Sequence, residues 1–245
     1  MRIAFAVFCE FVYQVIVGRR GPKPQFGLAQ IKDAAKAIVL TDGINGLTMA
    51  RLARRLRTSP SALYRYFPSK EAIMVALQID AITEVSVELE ERLERAENDR
   101  DCGGLEPQEV ALYRCLIAFD TYQGAGRGSR ASRRLMDAFL SQPEPILSDE
   151  QAVQVDLHLA GVLDLCASCL ADAVKVGALS PGDAKQRSNL VLASLHGLSH
   201  FRKRDRIQPD QLSAAALGRG LFEALFLGFG ALPKHLGPAM ERLGG

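Results

Sequence analysis

A chain of 245 residues, 48% of them hydrophobic, is long enough to bury a real core in one or two domains. Its five cysteines follow no regular spacing, which excludes a disulfide framework and fits a reducing, cytoplasmic compartment. The net charge of +2 says little about partners, but the segment Gly18 to Lys70 holds eleven Lys/Arg against Asp33 and Asp42, while Glu71 onward carries a net −7. A basic head on a neutral-to-acidic body is the footprint of a nucleic-acid-binding domain.

The first 17 residues, MRIAFAVFCEFVYQVIV, are largely apolar, yet they make a poor secretion signal or anchor. Arg2 alone precedes the run, Glu10 interrupts it, no A-x-A site follows, and its length is the lower limit for a span. We expect native translation to begin at Val17 or Val15. A packed or disordered extension and a membrane anchor are the alternatives, and no membrane partner is expected. After Val17 the chain reads as a basic arm carrying Arg19, Arg20 and Lys23.

Leu28, Ile31, Ala35 and Ile38 form one helical stripe over 28–41, stopped by Asp42-Gly43, and Asn45-Gly46 makes a turn. Thr48 is placed to cap a second helix, with Leu47 and Leu52 as a hydrophobic staple. Met49, Leu52, Ala53 and Leu56 form its apolar stripe, while Arg51, Arg54 and Arg55 project elsewhere. This helix stops near Arg57, and Ser59-Pro60 supplies the cap and N1 proline of a third, Pro60 to Phe67, in helix-turn-helix spacing. In the third helix Leu63 and Phe67 share the core face and Ser61 and Arg65 the opposite one, with Ala62 nearby and Tyr64 and Tyr66 about 100° to either side of Arg65. No acid stands between Leu47 and Lys70, so the exposed ridge is expected to meet something anionic.

A fourth helix is capped by Ser69, carries a stripe through Ile73, Ala76 and Leu77 towards Leu89 and Leu93, and ends in the charged run ELEERLERAENDR, read as its solvated end. Further helices are predicted near 107–123, 129–141, 149–177, 182–204 and 209–229, separated by GAGRG, QPEP, SPG and IQP. With no convincing pair of alternating strands, the fold class is all-α. The domains are an apolar extension (1–17), a helix-turn-helix domain with its basic arm (18–70) and a helical domain (71–245).

The segment IKDAAKAIVLTDGINGLTMARLARRLRTSPSALYRYFPSKEAIMVAL resembles the DNA-binding domain of the tetracycline-repressor (TetR/AcrR) family of bacterial transcription regulators. It matches in its G-x-x-x-L-T start, L-A-x-x-L second helix, L-Y-x-[HY]-F recognition helix and the P-x-K that follows. The resemblance implies a ligand-responsive homodimeric regulator, most simply a repressor, whose partners are a near-palindromic double-stranded DNA operator and a small-molecule effector. It also implies that Ser61, Ala62 and Arg65 face base edges, with a phosphate as the alternative partner of Arg65, that Thr48, Tyr64, Tyr66 and Lys70 reach phosphates, and that Ser59 starts the recognition helix. Arg57 stands where the family usually has glycine, because the turn tends to take a left-handed conformation; either it tolerates that strain or the turn differs slightly, and its charge would lie near the DNA backbone in both cases. Arg19, Arg20 and Lys23 would serve as an arm on the backbone or in a minor groove. Further on, LASLHGLSHF resembles a recurrent Trp-His-Gly stretch near the family's dimer helices, with Leu195 in the tryptophan's place.

Leu112, Leu116, Phe119, Met136, Phe139, Leu163, Leu195 and His196 are candidate lining residues of an effector chamber, although core packing gives the same helical spacing. The effector is expected to be mainly apolar. Leu217, Leu221, Ala224, Leu225 and Gly228 make a stripe rich in small residues suited to a dimer interface. His196 and His200 are four apart, but HGLSH lacks the glutamate of H-E-x-x-H; Cys166 and Cys169 form C-x-x-C inside an apolar helix with no second pair. With no Gly-rich phosphate loop or nucleophile elbow, no catalytic residue, metal or cofactor is expected, and the protein is not read as an enzyme.

Overall fold

A computed structural model describes residues 27–98, 104–123, 130–140, 146–199 and 213–244. The described residues are helical throughout, without strands. In chain order the helices are α1 (Leu28–Asp42), α2 (Met49–Arg55), α3 (Pro60–Tyr64), α4 (Lys70–Asn98), α5 (Pro107–Gln123), α6 (Arg130–Leu140), α7 (Asp149–Lys175), α8 (Ala184–Ser199), α9 (Ala214–Gly228) and α10 (Pro233–Gly244), with a 3-10 turn at Ile44–Gly46. The chain divides into two compact units between Leu77 and Gln78, seven residues beyond the boundary expected from charge. The physical reason is burial: Ile73, Met74, Val75, Ala76 and Leu77 are all core residues.

In the first unit the stripes close on one another. Ile31, Ala35 and Ile38 of α1, Leu52 and Ala53 of α2, Leu63 of α3 and the following Phe67 are each no more than 2% exposed. The helices α2 and α3 are seven and five residues long, too short to persist alone, so caps and packing hold them. Thr48 Oγ1 accepts from the Arg51 amide (3.1 Å), Ser59 Oγ from Ala62 (3.3 Å) and Ser69 Oγ from Ala72 (3.2 Å).

In the second unit α5 is the central helix, packed against α7, α8 and α10. Leu112, Cys115, Leu116, Ile117, Ala118 and Phe119 are all buried, a wide apolar face that belongs inside a bundle. α7 is long and apolar enough to cross a membrane by composition, but Val162, Cys166, Cys169, Leu170 and Ala173 are buried within this bundle. The charged end of α4 is not simply solvated as expected. Arg92 pairs with Asp120 at 2.9 Å and donates to Thr121 Oγ1 at 2.9 Å, and Arg114 pairs with Glu97 at 2.6 Å. α10 lies beyond the last helix the sequence pattern predicts. Gly237 and Pro238 read as breakers, yet burial of His235, Leu236 and Ala239 holds the helix through the proline.

Candidate nucleic-acid interface

The helix-turn-helix is assembled from α2, a tight turn and α3. α2 ends in a Schellman arrangement, with the Arg57 amide donating to Arg54 O (3.2 Å) and the Thr58 amide to Ala53 O (2.9 Å). The geometry places Arg57 at φ 54, the left-handed region, among the described residues the only non-glycine there. Of the two outcomes open for this position the structure has the left-handed one, with the arginine in place and exposed.

α3 starts with Ser59 as cap and Pro60 at N1, and Ser59 Oγ also lies 2.9 Å from Ser61 Oγ. Regular α-helix ends at Tyr64, but the Tyr66 and Phe67 amides both donate to Leu63 O, so the turn continues far enough to seat Phe67 in the core. Leu63 and Phe67 face inward as predicted, while Ser61, Tyr64 and Arg65 are exposed and Ala62 and Tyr66 half-buried. Tyr64 keeps 52% of its surface in water, far more than a core aromatic would. Thr48 is exposed, and its hydroxyl, although accepting the cap bond, still has a proton to donate outward.

Arg51 is set apart from this ridge. Its Nη2 binds Asp42 Oδ2 at 2.6 Å, tying the end of α1 to α2. The neighbouring Thr41 hydroxyl, with Arg51 as the further cause, holds the Asp42 carboxyl below the usual carboxylate range. Arg54 and Arg55, which the sequence reading did not select as contacts, are exposed on α2 and add to the positive surface. Their place on the polar face of the α2 stripe was the available signal. Lys70 begins α4, its Nζ 4.0 Å from Glu71. Arg19, Arg20 and Lys23 lie outside the described residues.

A family model described as bacterial regulatory proteins, tetR family, matches residues 31–77, the whole of this constellation. Over those residues the chain is similar to the tetR family of bacterial regulatory proteins. Over 55 residues, 22% of this chain and 20% of the relative, it is 42% identical to an HTH-type transcriptional repressor from Streptomyces coeruleorubidus. The chain thus spans a fifth of that repressor, and 34% of an uncharacterised HTH-type regulator from Bacillus subtilis (strain 168). Whole-chain likeness to solved structures is one of fold. The transcriptional regulator FadR from Bacillus subtilis in complex with stearoyl-CoA aligns at TM-score 0.55 and 17% identity, covering 82% of this chain and 98% of that one. AibR in complex with isovaleryl coenzyme A and operator DNA aligns at TM-score 0.56 and 16% identity, covering 81% and 97%.

In the second unit, the residues expected to line an effector chamber are mostly core. Leu112, Leu116, Phe119, Met136 and Leu195 are buried; Phe139, Leu163 and His196 are half-buried. None lines either of two clefts among the described residues. One, of about 690 Å³, is walled by Glu91, Arg92, Glu94, Arg95, Ala96, Tyr113 and Ile117; the other, of about 440 Å³, lies between the start of α5 and the end of α7. On α9 the faces separate: Gly218, Phe222 and Phe226 are buried, whereas Leu217, Leu221 and Leu225 are half-buried and Ala224 and Gly228 exposed. His200 lies outside the described residues. Cys115, Cys166 and Cys169 are free and buried. Burial pushes the Cys166 thiol up to about 12 and raises those of Cys169 and Cys115, so all three stay protonated and are poor nucleophiles.

Proposed function

We propose that the chain is a ligand-responsive transcription repressor, acting in the cytoplasm, that binds a near-palindromic operator as a homodimer and is released by a small-molecule effector. The observation that carries this reading is the acid-free, exposed face of α2 and α3, with Tyr64 and Arg65 turned to solvent. In the major groove Ser61, Ala62 and Arg65 face base edges. Thr48, Tyr64, Tyr66 and Lys70 bind phosphates on the two walls, Ser59 holds the first turn of α3, and Arg57 lies beside the backbone. Arg19, Arg20 and Lys23 serve as the arm. Dimerisation runs through α8 and the stripe Leu217, Leu221, Ala224, Leu225 and Gly228. The effector is mainly apolar and binds in the helical domain among Leu112, Leu116, Phe119, Met136, Phe139, Leu163, Leu195 and His196. Acyl thioesters are the first compounds to test, because two proteins of this fold hold stearoyl-CoA and isovaleryl coenzyme A.

The test begins by selecting binding sites from random duplex DNA with the purified chain, then titrating the selected site across salt. Arg65→Ala should relax preference at one base pair of each half-site, a discrimination of about 1–3 kcal/mol. Tyr64→Phe and Lys70→Ala should weaken all sequences alike, with only the lysine change flattening the salt dependence, by about one unit per lost contact per subunit. Failure to enrich any sequence would sink the reading. Uniform loss with Arg65→Ala would make Arg65 a phosphate clamp, and no release by either acyl thioester would reject that effector class alone.

A further inference from the structure

α10 packs on α5 and brings His235, at its first turn, against the two carboxylates that begin α5. His235 is only 8% exposed, and its Nδ1 has no hydrogen-bond partner. That nitrogen stands 3.4 Å from Glu106 Oε2 and 3.7 Å from Glu109 Oε1, and the ligand atoms of all three residues lie within 4.8 Å of one another. A buried imidazole nitrogen is normally satisfied, so an orphan aimed at two carboxylates calls for an explanation. The separations are long for hydrogen bonds. They are close to the edge of a tetrahedron: ligands about 2.0–2.1 Å from a central zinc stand about 3.4 Å from one another.

The carboxylates are also held as ligands are held. Glu109 is 9% exposed, and its Oε2 accepts the Glu106 amide at 2.9 Å, which fixes the group and leaves Oε1 towards the imidazole. Pro107 at the first position of α5 and Pro233 at the first position of α10 start both helices with a fixed φ, so the three side chains hang from rigid turns. We propose that Glu106, Glu109 and His235 form a site for one divalent transition-metal ion, zinc or a metal of similar preference, that clips the C-terminal helix to the start of α5. One nitrogen and two carboxylates suit zinc with a fourth position for water, and they supply too few oxygens for calcium. The site is independent of operator binding.

The test uses the full chain, stripped with a chelator and titrated with zinc chloride by calorimetry alongside thermal melts. The expected result is one zinc per chain and a melting temperature that rises with zinc. Glu106→Gln is the decisive variant, because that side chain is 64% exposed and its loss leaves packing and the zinc-free melt unchanged. It should weaken zinc at least tenfold, and His235→Gln and Glu109→Gln should do the same. Absence of zinc binding by the native chain would overturn the proposal. Zinc bound equally tightly by all three variants would assign the metal to other groups and overturn it as well.

Discussion

Arg57 carries a conformational cost that two other positions in the chain avoid. α7 and α9 end in the same pair of turn hydrogen bonds as α2, and there the left-handed residues are Gly177 (φ 72) and Gly230 (φ 94). A side chain in that region costs about 1–2 kcal/mol, part of which a glycine returns through its freer unfolded state. Arg57→Gly should therefore raise the unfolding free energy by up to about 1 kcal/mol, read as a higher denaturation midpoint, while weakening DNA binding and lowering its salt slope. A variant less stable than the native chain would show that the turn is not strained. Asp42 belongs to the same scale. Because its carboxyl is held below the usual range, its stabilisation is present above the unfolded carboxylate's value and fades as pH falls through the folded one. Asp42→Asn should accordingly flatten the acid limb of a stability-versus-pH curve; an unchanged limb would remove Asp42 from the account.

The short helices of the DNA-binding unit depend on their first residues. Ser59→Ala removes the acceptor for the Ala62 amide from a five-residue helix and should cost about 1 kcal/mol. Ser59→Asp separates the two roles of that position: aspartate caps as well as serine, but it places an anion on a surface proposed to meet phosphates. Melting should be native while fluorescence anisotropy shows lost operator affinity; retained affinity would move the DNA away from the start of α3. On α5 and α7 the corresponding feature is burial. Cys115, Cys166 and Cys169 should resist alkylation in the native protein and react on denaturation, read by peptide mass spectrometry, and ready native labelling would contradict the packed bundle.

At the scale of the whole molecule, α9 faces two ways. Phe226 is fully buried, edge-on to Phe119 with ring centroids 6.5 Å apart, so Phe226→Ala should cost about 3–5 kcal/mol within a single chain. Leu221, on the half-open face, should behave differently. Leu221→Glu is expected to leave the helical signal intact and convert a dimer to a monomer in sedimentation; a stable dimer would place the interface elsewhere, with exposed Val153 and Leu157 of α7 as the next surface to test. The proposed two-fold dimer would also set the operator, with half-sites about 34–36 Å apart.

The sequence by itself determined the all-α class, the helix-turn-helix, its caps at Thr48, Ser59 and Ser69, the inward pair Leu63 and Phe67, and the unusual residue at Arg57. These are written in patterns a few residues long, where rotation per residue, a capping hydroxyl or a proline's fixed φ acts on its own neighbours. Only the tertiary structure decided the rest. α10 forms across Gly237 and Pro238 because α5 offers a surface to cover, and no local rule predicts that. The ion pairs that tie the charged end of α4 to Asp120 and Arg114 were equally unreadable. His235 meets Glu106 and Glu109 from the far end of the chain, while the histidines and cysteines that looked like ligands at helical spacing drew attention elsewhere. Periodicity tells which face of a helix is apolar; what that face meets depends on contacts between residues of different helices, made only when the chain closes.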